Sequence, residues 1–289
     1  MSRSAREISY AHTAQTRAGR AVIRLLENST GRHRLIRRAR GYEQELAQGR
    51  DFFDVMTARY GVSLDIAGGC LDLIPRDGPL IFIANHPYGI LDGLMLGHII
   101  AQRRSDFRIM AHSAFDRADD LSGHMLPVSF EAGKAALALN LRTRKDALRL
   151  LEVGGAVGVF PGGTVSTGAR PFDKPMDPSW RSFTARMIAK SRAQVVPIYF
   201  EGHTSRMFQL ASHLHPTLRV GLLIQEFRKR VDTSVRVVIG APLGRDVLDP
   251  LAGDAKAMMD FLRKATYDLS PEPLGAPELG FEFDQHHRA

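Results

Sequence analysis

The chain has 289 residues, of which 44% are hydrophobic, and a formal net charge of +8, which allows one large folded domain or two small ones. Its one cysteine, Cys70, excludes an intrachain disulfide and a cysteine-based metal cluster. No run of about 18 uncharged apolar residues occurs, so we predict no membrane-spanning helix, and the first residues show no apolar segment typical of a signal peptide.

Most of the excess positive charge lies at the start of the chain. Residues 1–50 contain eleven arginines and four glutamates, with no lysine or aspartate, an excess of seven positive charges. The residue pattern predicts helices over 17–27, 32–47 and 51–60, so we treat residues 1–60 as a basic helical N-terminal segment. Such a segment suits an anionic membrane surface. Aromatic residues are too few for base stacking, so we predict no nucleic-acid partner; a solvated basic face is the alternative.

Beyond residue 61 the pattern changes to short apolar strands that alternate with helices. We predict strands over 80–84, 107–111, 156–160, 194–200 and 235–240, a further apolar segment over 125–128, and helices over 94–100, 143–152, 178–192, 216–230 and 254–269. Alternating residues around Gly68-Gly69 predict a hairpin or bulged pair over 62–73. The order predicts one α/β domain over 61–270, with a central, mostly parallel or mixed sheet flanked by helices. Residues 271–289 are predicted to form a loosely ordered tail.

The most informative stretch follows the predicted strand 80–84 and contains His86 and Asp92. An aspartate that accepts a hydrogen bond from one imidazole nitrogen leaves the other free to take a proton. On one continuous helix the two side chains would point apart, so they meet only if the chain turns between them. Pro87 and Gly89 favour such a turn. The alternative is that Asp92 only caps the next helix and that His86 is an interior histidine.

Two further buried strands are followed by polar loops. Residues 160–168 contain three glycines with Thr164, Ser166 and Thr167, and their backbone N–H groups would suit an anion or a lipid head group; a tight turn without a ligand is the alternative. After the strand 194–200 come Glu201 and Arg206. Ligands of α/β sheets bind beyond the carboxyl ends of strands, so we expect the three loops to form one site.

These blocks, in their order and separation, resemble the lysophospholipid acyltransferase superfamily of PlsC-like phospholipid/glycerol acyltransferases. The likeness is greatest to the bacterial branch described as hemolysin-like or lyso-ornithine-lipid acyltransferase-like, and it runs from about Gly61 to Pro242. The resemblance implies that His86 is the general base and that Asp92 orients it. The resemblance, together with the positions of the three polar loops, predicts that substrate is bound by Asn85, Gly89, Gly162, Gly163, Thr164, Ser166, Glu201 and Arg206.

The chain departs from the family pattern in two places. Five residues rather than four separate His86 from Asp92, so the turn has to absorb one more residue. The family block Phe-Pro-Glu-Gly-Thr-Arg has Gly162 in place of its glutamate and Val165 in place of its arginine. That arginine helps to hold the phosphate of glycerol phosphates, so its loss favours an acceptor with another head group, such as a lyso-ornithine lipid. Arg170 or Arg206 would be the substitute cation.

The resemblance therefore implies an O-acyltransferase of membrane lipid biosynthesis. It would move a fatty acyl group from acyl carrier protein or coenzyme A to a lysolipid hydroxyl, with no other cofactor, no metal and no covalent acyl-enzyme. We expect peripheral attachment to an anionic membrane surface, at the cytoplasmic face of a bacterial inner membrane. Two alternatives stay open: an acyl-thioester hydrolase that uses water in place of the lipid, and a non-catalytic lipid-binding protein.

Overall fold

A computed structural model describes residues 9–14, 16–113, 119–121, 123–129, 133–272, 274 and 278–283. Residues 1–8 of the predicted N-terminal segment and residues 273, 275–277 and 284–289 of the predicted tail lie outside this range. The helices are α1 Arg17–Thr30, α2 Arg32–Arg38, α3 Tyr42–Ala47, α4 Phe52–Tyr60, α5 Ile90–Ala101, α6 Lys134–Glu152, α7 Ser182–Lys190, α8 Arg206–Leu214, α9 Pro216–Lys229, α10 Arg245–Leu248 and α11 Ala255–Tyr267. The strands are β1 Ser63–Gly68, β2 Leu80–Ala84, β3 Phe107–His112, β4 Met125–Val128, β5 Ala156–Val159, β6 Gln194–Phe200 and β7 Ser234–Ile239.

The seven strands form one sheet in the order β1-β7-β6-β2-β5-β3-β4. Every neighbouring pair is parallel except β6 and β7, which are antiparallel. This confirms the predicted α/β fold with a mostly parallel, mixed sheet and flanking helices. Strand β2 lies between β5 and β6 and is parallel to both, so the carboxyl ends of these three strands meet at one edge of the sheet.

Both faces of the central strands are buried, which explains why their sequences are continuous apolar runs. In β2, Phe82 packs into the core on one face with the N-terminal helices and α5, whereas Ile81 and Ile83 pack on the other face with α7 and α11. The aromatic residues of α4 belong to the first core, so the N-terminal helices cover one face of the sheet. The central strands are therefore enclosed on both faces, and the polar loops emerge at their carboxyl ends.

The structure corrects four predictions about local elements. No hairpin forms over 62–73: β1 pairs in parallel with β7, and Leu71–Leu73 is a short 3-10 turn. Gly69 permits this, because it adopts a positive φ and lies against the Ile239 carbonyl, where a side chain would collide. The helix predicted over 32–47 is divided into α2 and α3 at Gly41, which also has a positive φ. Helix α6 begins nine residues earlier than predicted, and Arg206, predicted to lie in a polar loop, is the first residue of helix α8.

The apolar side of helix α9 faces the interior of the protein and is not available to a membrane. Leu222, Leu223 and Phe227 are buried, because α9 packs between α1, α8 and the core. Within the described residues, no helix is both long enough and apolar enough to cross a bilayer.

Part of the predicted tail is bound to the domain. The backbone N–H groups of Gly280 and Phe281 donate to the carbonyls of Asp177 and Thr167 at 2.9 and 3.0 Å. The Phe281 ring also contacts the ring of His213 in α8, with centroids 4.6 Å apart. Residues 278–283 therefore lie against the same edge of the sheet as the three polar loops.

Candidate active site

His86 and Asp92 meet, as the motif predicted, because the chain turns sharply between β2 and α5. Gly89 makes the turn with a φ of 80° and precedes the helix. Asp92 is the third residue of α5, and its Oδ2 accepts the backbone N–H groups of Tyr88 and Gly89 at 2.8 and 2.9 Å. The same oxygen lies 2.9 Å from His86 Nδ1, an ion-pair contact. The extra residue of the motif is therefore absorbed by the turn.

The carboxylate of Asp92 is fully buried, whereas the imidazole of His86 keeps 18% of its surface exposed. Burial raises the pKa of Asp92, and the contact with His86 opposes this effect. The second carboxylate oxygen, Oδ1, is also buried and has no hydrogen-bond partner among the described residues. Because Asp92 faces Nδ1, the arrangement holds the proton of a neutral imidazole on Nδ1 and leaves Nε2 as the basic nitrogen.

The imidazole forms part of the wall of a large cavity. The His86 ring stacks on the ring of Phe160 at 4.3 Å with an interplanar angle of 25°, which holds the imidazole plane in place. The cavity has a volume of about 740 Å³, and most of its lining is apolar. It extends from the N-terminal helices and α5 to β3, β4, α7 and α9. A volume of this size is typical of small-molecule sites.

A buried carboxylate that was not predicted, Asp177, joins the two polar loops. Its Oδ1 accepts the His86 backbone N–H at 3.2 Å and the Ser166 hydroxyl at 2.5 Å, and its Oδ2 accepts Trp180 Nε1 at 2.9 Å. Ser166 in turn donates its backbone N–H to the His86 carbonyl at 2.8 Å. A Cβ atom on Gly162 would lie 3.3 Å from the Asp177 carboxylate. An acid therefore lies beside the position where the family motif carries its glutamate.

A buried cation at the cavity was also not predicted: it is Arg219, in the first turn of α9. Its guanidinium donates to the Thr164 hydroxyl at 2.9 Å and to the Val165 carbonyl at 2.7 Å. Val165 stands where the family motif has its arginine, so the positive charge reaches this loop from another helix. One signal was present in the sequence, because Arg219 is a lone charge between the apolar residues Leu218 and Val220.

The structure separates the predicted site residues into two groups. Five of them line the cavity: His86, Gly89, Gly162, Gly163 and Thr164. Asp92 and Ser166 are buried behind this surface and contact its residues.

The other three residues lie apart from the cavity. Asn85 pairs both of its amide atoms with the backbone of Phe200, at 2.8 and 2.7 Å, and so ties β2 to β6. The side chain of Glu201 lies 3.7 Å from Arg236. Arg206 is exposed at the start of α8, and Arg170, the other suggested cation, is exposed in its loop. We therefore assign none of these side chains to substrate binding.

Among the residues that the structure describes, no three histidine, cysteine, aspartate or glutamate side chains cluster as metal ligands.

Comparisons with known proteins show which proteins this chain resembles. A model of the acyltransferase family matches residues 34–274. The chain is similar to two proteins named lyso-glycine lipid O-acyltransferase. It is 22% identical over 232 residues to the protein from Phocaeicola vulgatus, a match covering 76% of this chain and 78% of the relative. It is 22% identical over 233 residues to the protein from Bacteroides thetaiotaomicron, covering 76% and 80%. A solved structure of the 1-acyl-sn-glycerophosphate acyltransferase PlsC from Thermotoga maritima aligns at 16% identity over 91% of this chain and 87% of that one, with a TM-score of 0.46.

Proposed function

The chain belongs to the acyltransferase family, and from this membership we propose that it moves a fatty acyl group from an acyl thioester to the hydroxyl of a lysolipid. The observation that carries the proposal is the His86–Asp92 pair, whose imidazole opens into an apolar cavity of about 740 Å³. A hydroxyl and a thioester that both carry long alkyl chains need such a cavity. A buried CH₂ group contributes about 0.8 kcal/mol, so an apolar lining favours chains of many carbons.

In the proposed reaction, Nε2 of His86 takes the proton of the lipid hydroxyl as its oxygen attacks the thioester carbonyl carbon. Asp92 keeps the proton of the neutral imidazole on Nδ1 and stabilises the imidazolium that forms. The tetrahedral intermediate then breaks its C–S bond, and the leaving thiolate takes the proton back from His86. No protein nucleophile is required, so no acyl-enzyme forms.

The negative oxygen of the tetrahedral intermediate needs hydrogen-bond donors. Gly162, Thr164 and Val165 line the cavity beside His86, and no described residue accepts a hydrogen bond from their backbone N–H groups. Backbone donors that are already held in place stabilise such an oxygen without reorganisation. We assign this role to the 162–165 loop.

The relatives support a particular class of acceptor. Both are named for a lyso-glycine lipid, and this chain lacks the motif arginine at Val165. We therefore propose an acceptor in which an amino acid such as glycine or ornithine is N-acylated by a hydroxy fatty acid. The acyl donor is a thioester of acyl carrier protein or coenzyme A.

The outer face of α1 supports attachment to a membrane surface. Leu25 is 69% exposed and Val22 is 40% exposed, and both lie beside the exposed arginines Arg20 and Arg24. Apolar residues flanked by arginines are typical of helices that lie in an anionic bilayer interface. We therefore propose peripheral attachment through α1, at the cytoplasmic face of a bacterial inner membrane.

The attachment is tested by substituting Leu25→Asp, with Leu137→Asp as the matched control, because Leu137 in α6 is similarly exposed at 61%. In sedimentation with vesicles that contain phosphatidylglycerol, Leu25→Asp should bind several-fold more weakly, whereas Leu137→Asp should bind like the wild type. Wild-type binding should also weaken as salt rises, because salt screens the arginines. Equal losses in both variants would remove α1 from the proposal.

The transfer reaction is tested with purified protein, an acyl thioester and an N-(3-hydroxyacyl)glycine acceptor. We expect an ester product whose rate falls about 10²–10⁴-fold in His86→Ala, the usual contribution of a positioned base. His98→Ala is the matched control, because His98 makes a similar contact with Asp54 at 2.8 Å away from the cavity. Near wild-type transfer by His86→Ala would refute the mechanism. Equal release of free fatty acid with and without acceptor would indicate a hydrolase, and acceptor binding without turnover would indicate a binding protein.

A further inference from the structure

Arg219 is a buried cation whose hydrogen-bond partners are all neutral. Only 7% of the surface of Arg219 is exposed. Its two terminal nitrogens make four hydrogen bonds of 2.7–2.9 Å. The acceptors are three hydroxyl oxygens and one backbone carbonyl, contributed by Thr167, Ser212, Thr164 and Val165. These bonds fix the guanidinium in place but do not cancel its charge.

No carboxylate within the described part of the chain lies within 4 Å of the Arg219 guanidinium. Glu282 lines the same cavity, but its carboxylate accepts a hydrogen bond from the Ser179 backbone N–H at 2.6 Å instead. The guanidinium carbon of Arg219 lies over the rings of Phe283 and Phe208, 4.1 and 5.0 Å from the ring centroids. Burial lowers the pKa of Arg219 to about 9, so the group is still charged at neutral pH. A buried charge without a counter-ion is costly, and an anionic ligand would offset that cost.

Thr164 offers the contact that such a ligand would use. It lines the cavity, and its hydroxyl oxygen accepts a hydrogen bond from Arg219 at 2.9 Å. No described residue accepts the hydrogen of this hydroxyl, which can therefore be donated to a ligand oxygen. Donation from a hydroxyl that is itself bonded to a guanidinium is strengthened by the positive charge.

The anion site and His86 belong to one cavity and are joined through the same loop. Arg219 donates to the Val165 carbonyl, and the next residue, Ser166, donates its N–H to the His86 carbonyl. We propose that Arg219 and Thr164 determine acceptor specificity by binding an anionic head group, a carboxylate or a phosphate, while His86 takes the hydroxyl proton. This inference rests on the proposed function, because it concerns the acceptor of that same site.

The first experiment measures binding alone, so it does not depend on acyl transfer. The wild type is titrated with N-dodecanoylglycine and with its methyl ester, and with dodecyl phosphate and dodecanol, to separate a carboxylate from a phosphate. A charge-assisted contact predicts that the preferred anion binds about 10–150-fold tighter than its neutral analogue. Equal affinity for the anions and their neutral analogues would overturn the inference and would leave the proposed acyl transfer untouched.

The variants test whether these two residues produce the preference. Arg219→Gln should reduce the ratio of anion to neutral affinity to about one, and Thr164→Val should reduce it about 5–20-fold, the loss of one hydrogen bond near a charge. Arg186→Gln is the control, because it removes an exposed arginine from α7 and should leave the ratio unchanged. If Arg219→Gln does not fold, Thr164→Val carries the comparison. A fall in affinity for anion and neutral analogue alike would show that Arg219 is structural.

The second experiment compares kcat/KM for an N-(3-hydroxyacyl)glycine and its methyl ester. The wild type should prefer the acid, and Thr164→Val should lose that preference mainly through KM for the acid. If the wild type transfers to neither acceptor but still binds the acid selectively, the proposed function fails and the anion site stands. If it transfers equally well to both, the proposed function stands and the anion site fails.

Discussion

Replacing Asp92 by asparagine should make the protein slower and, at neutral pH, more stable. In the native chain, Oδ2 of Asp92 accepts two backbone N–H groups and faces His86 Nδ1, whereas Oδ1 has no partner among the described residues. The amide oxygen of an asparagine can take the place of Oδ2, and its NH₂ group takes the place of an atom that was already unpartnered. The substitution therefore removes a charge with little change in the number of hydrogen bonds.

The rate should fall because the imidazole loses its charged partner. A hydrogen bond to a charged group contributes about 1.5–3 kcal/mol, and each 1.36 kcal/mol corresponds to a tenfold change, so kcat should fall about 10–150-fold with little change in KM. The contact also selects the tautomer of His86. Nitrogen NMR of the histidine ring should show the proton on Nδ1 in the wild type and a mixture of tautomers in Asp92→Asn.

The stability should rise because burial raises the pKa of Asp92 above its ordinary value of 3.8. The folded chain then binds this proton more tightly than the unfolded chain does, so stability falls as pH rises from about 3.8 through the folded-state pKa. Asparagine carries no charge at any pH. The Tm of Asp92→Asn should therefore exceed that of the wild type at pH 7, and the difference should shrink as pH falls toward 4.

The assay is acyl transfer measured beside thermal unfolding over a pH series. Asp54→Asn is the control, because Asp54 makes a similar 2.8 Å contact with His98 but is 48% exposed; it should change neither kcat nor Tm appreciably. Wild-type kcat in Asp92→Asn would refute the orienting role. A lower Tm at pH 7 would refute the argument that burial penalises the charge.

Three further substitutions test how the site is held. Asn85→Ala should lower the free energy of unfolding, measured in urea, by about 2–5 kcal/mol, because it leaves the backbone N–H and carbonyl of Phe200 unpaired in the core. A loss under 1 kcal/mol would contradict the tie between β2 and β6. Asp177→Asn should lower the free energy of unfolding by about 1–3 kcal/mol and reduce kcat. Both carboxylate oxygens accept hydrogen bonds, and the NH₂ group of an asparagine cannot accept one. An unchanged free energy of unfolding would show that the loops are joined in another way. Gly89→Ala should lower the thermal stability more than Gly78→Ala does. Both glycines have a positive φ, but a Cβ on Gly89 would lie 3.1 Å from Val165, whereas a Cβ on Gly78 would face open space. Equal losses of stability would leave backbone strain alone as the cause.

The sequence predicts well what depends on neighbouring residues. The apolar runs of β2, β5 and β6 identify strands buried on both faces, and the polar residues after each one identify the edge where the site lies. The turn at Gly89 was also predictable, because only a turn lets His86 and Asp92 meet. The catalytic roles of these two side chains remain proposals.

Contacts between distant parts of the chain were not predictable from local pattern. Asp177 and Arg219 lie 11 and 53 residues beyond Ser166, and only the packing of α9 and the 177–180 segment brings them to its loop. Arg206 was chosen because it follows a strand, but it begins a helix, α8, that carries its side chain into solvent. The hairpin over 62–73 failed for the same reason, since the partner of β1 lies near the other end of the domain.

The pairing of β1 with β7 determines when the sheet can be completed during synthesis. The two strands are separated by roughly 170 residues of chain, and contacts of such long range form slowly because the intervening loop has to close first. Until β7 leaves the ribosome, β6 has no neighbour on one side, and an apolar strand edge of this kind invites wrong association. A nascent chain whose segment Ser234–Ile239 is still inside the ribosome should therefore need a chaperone, whereas a chain whose β7 has emerged can already close its sheet.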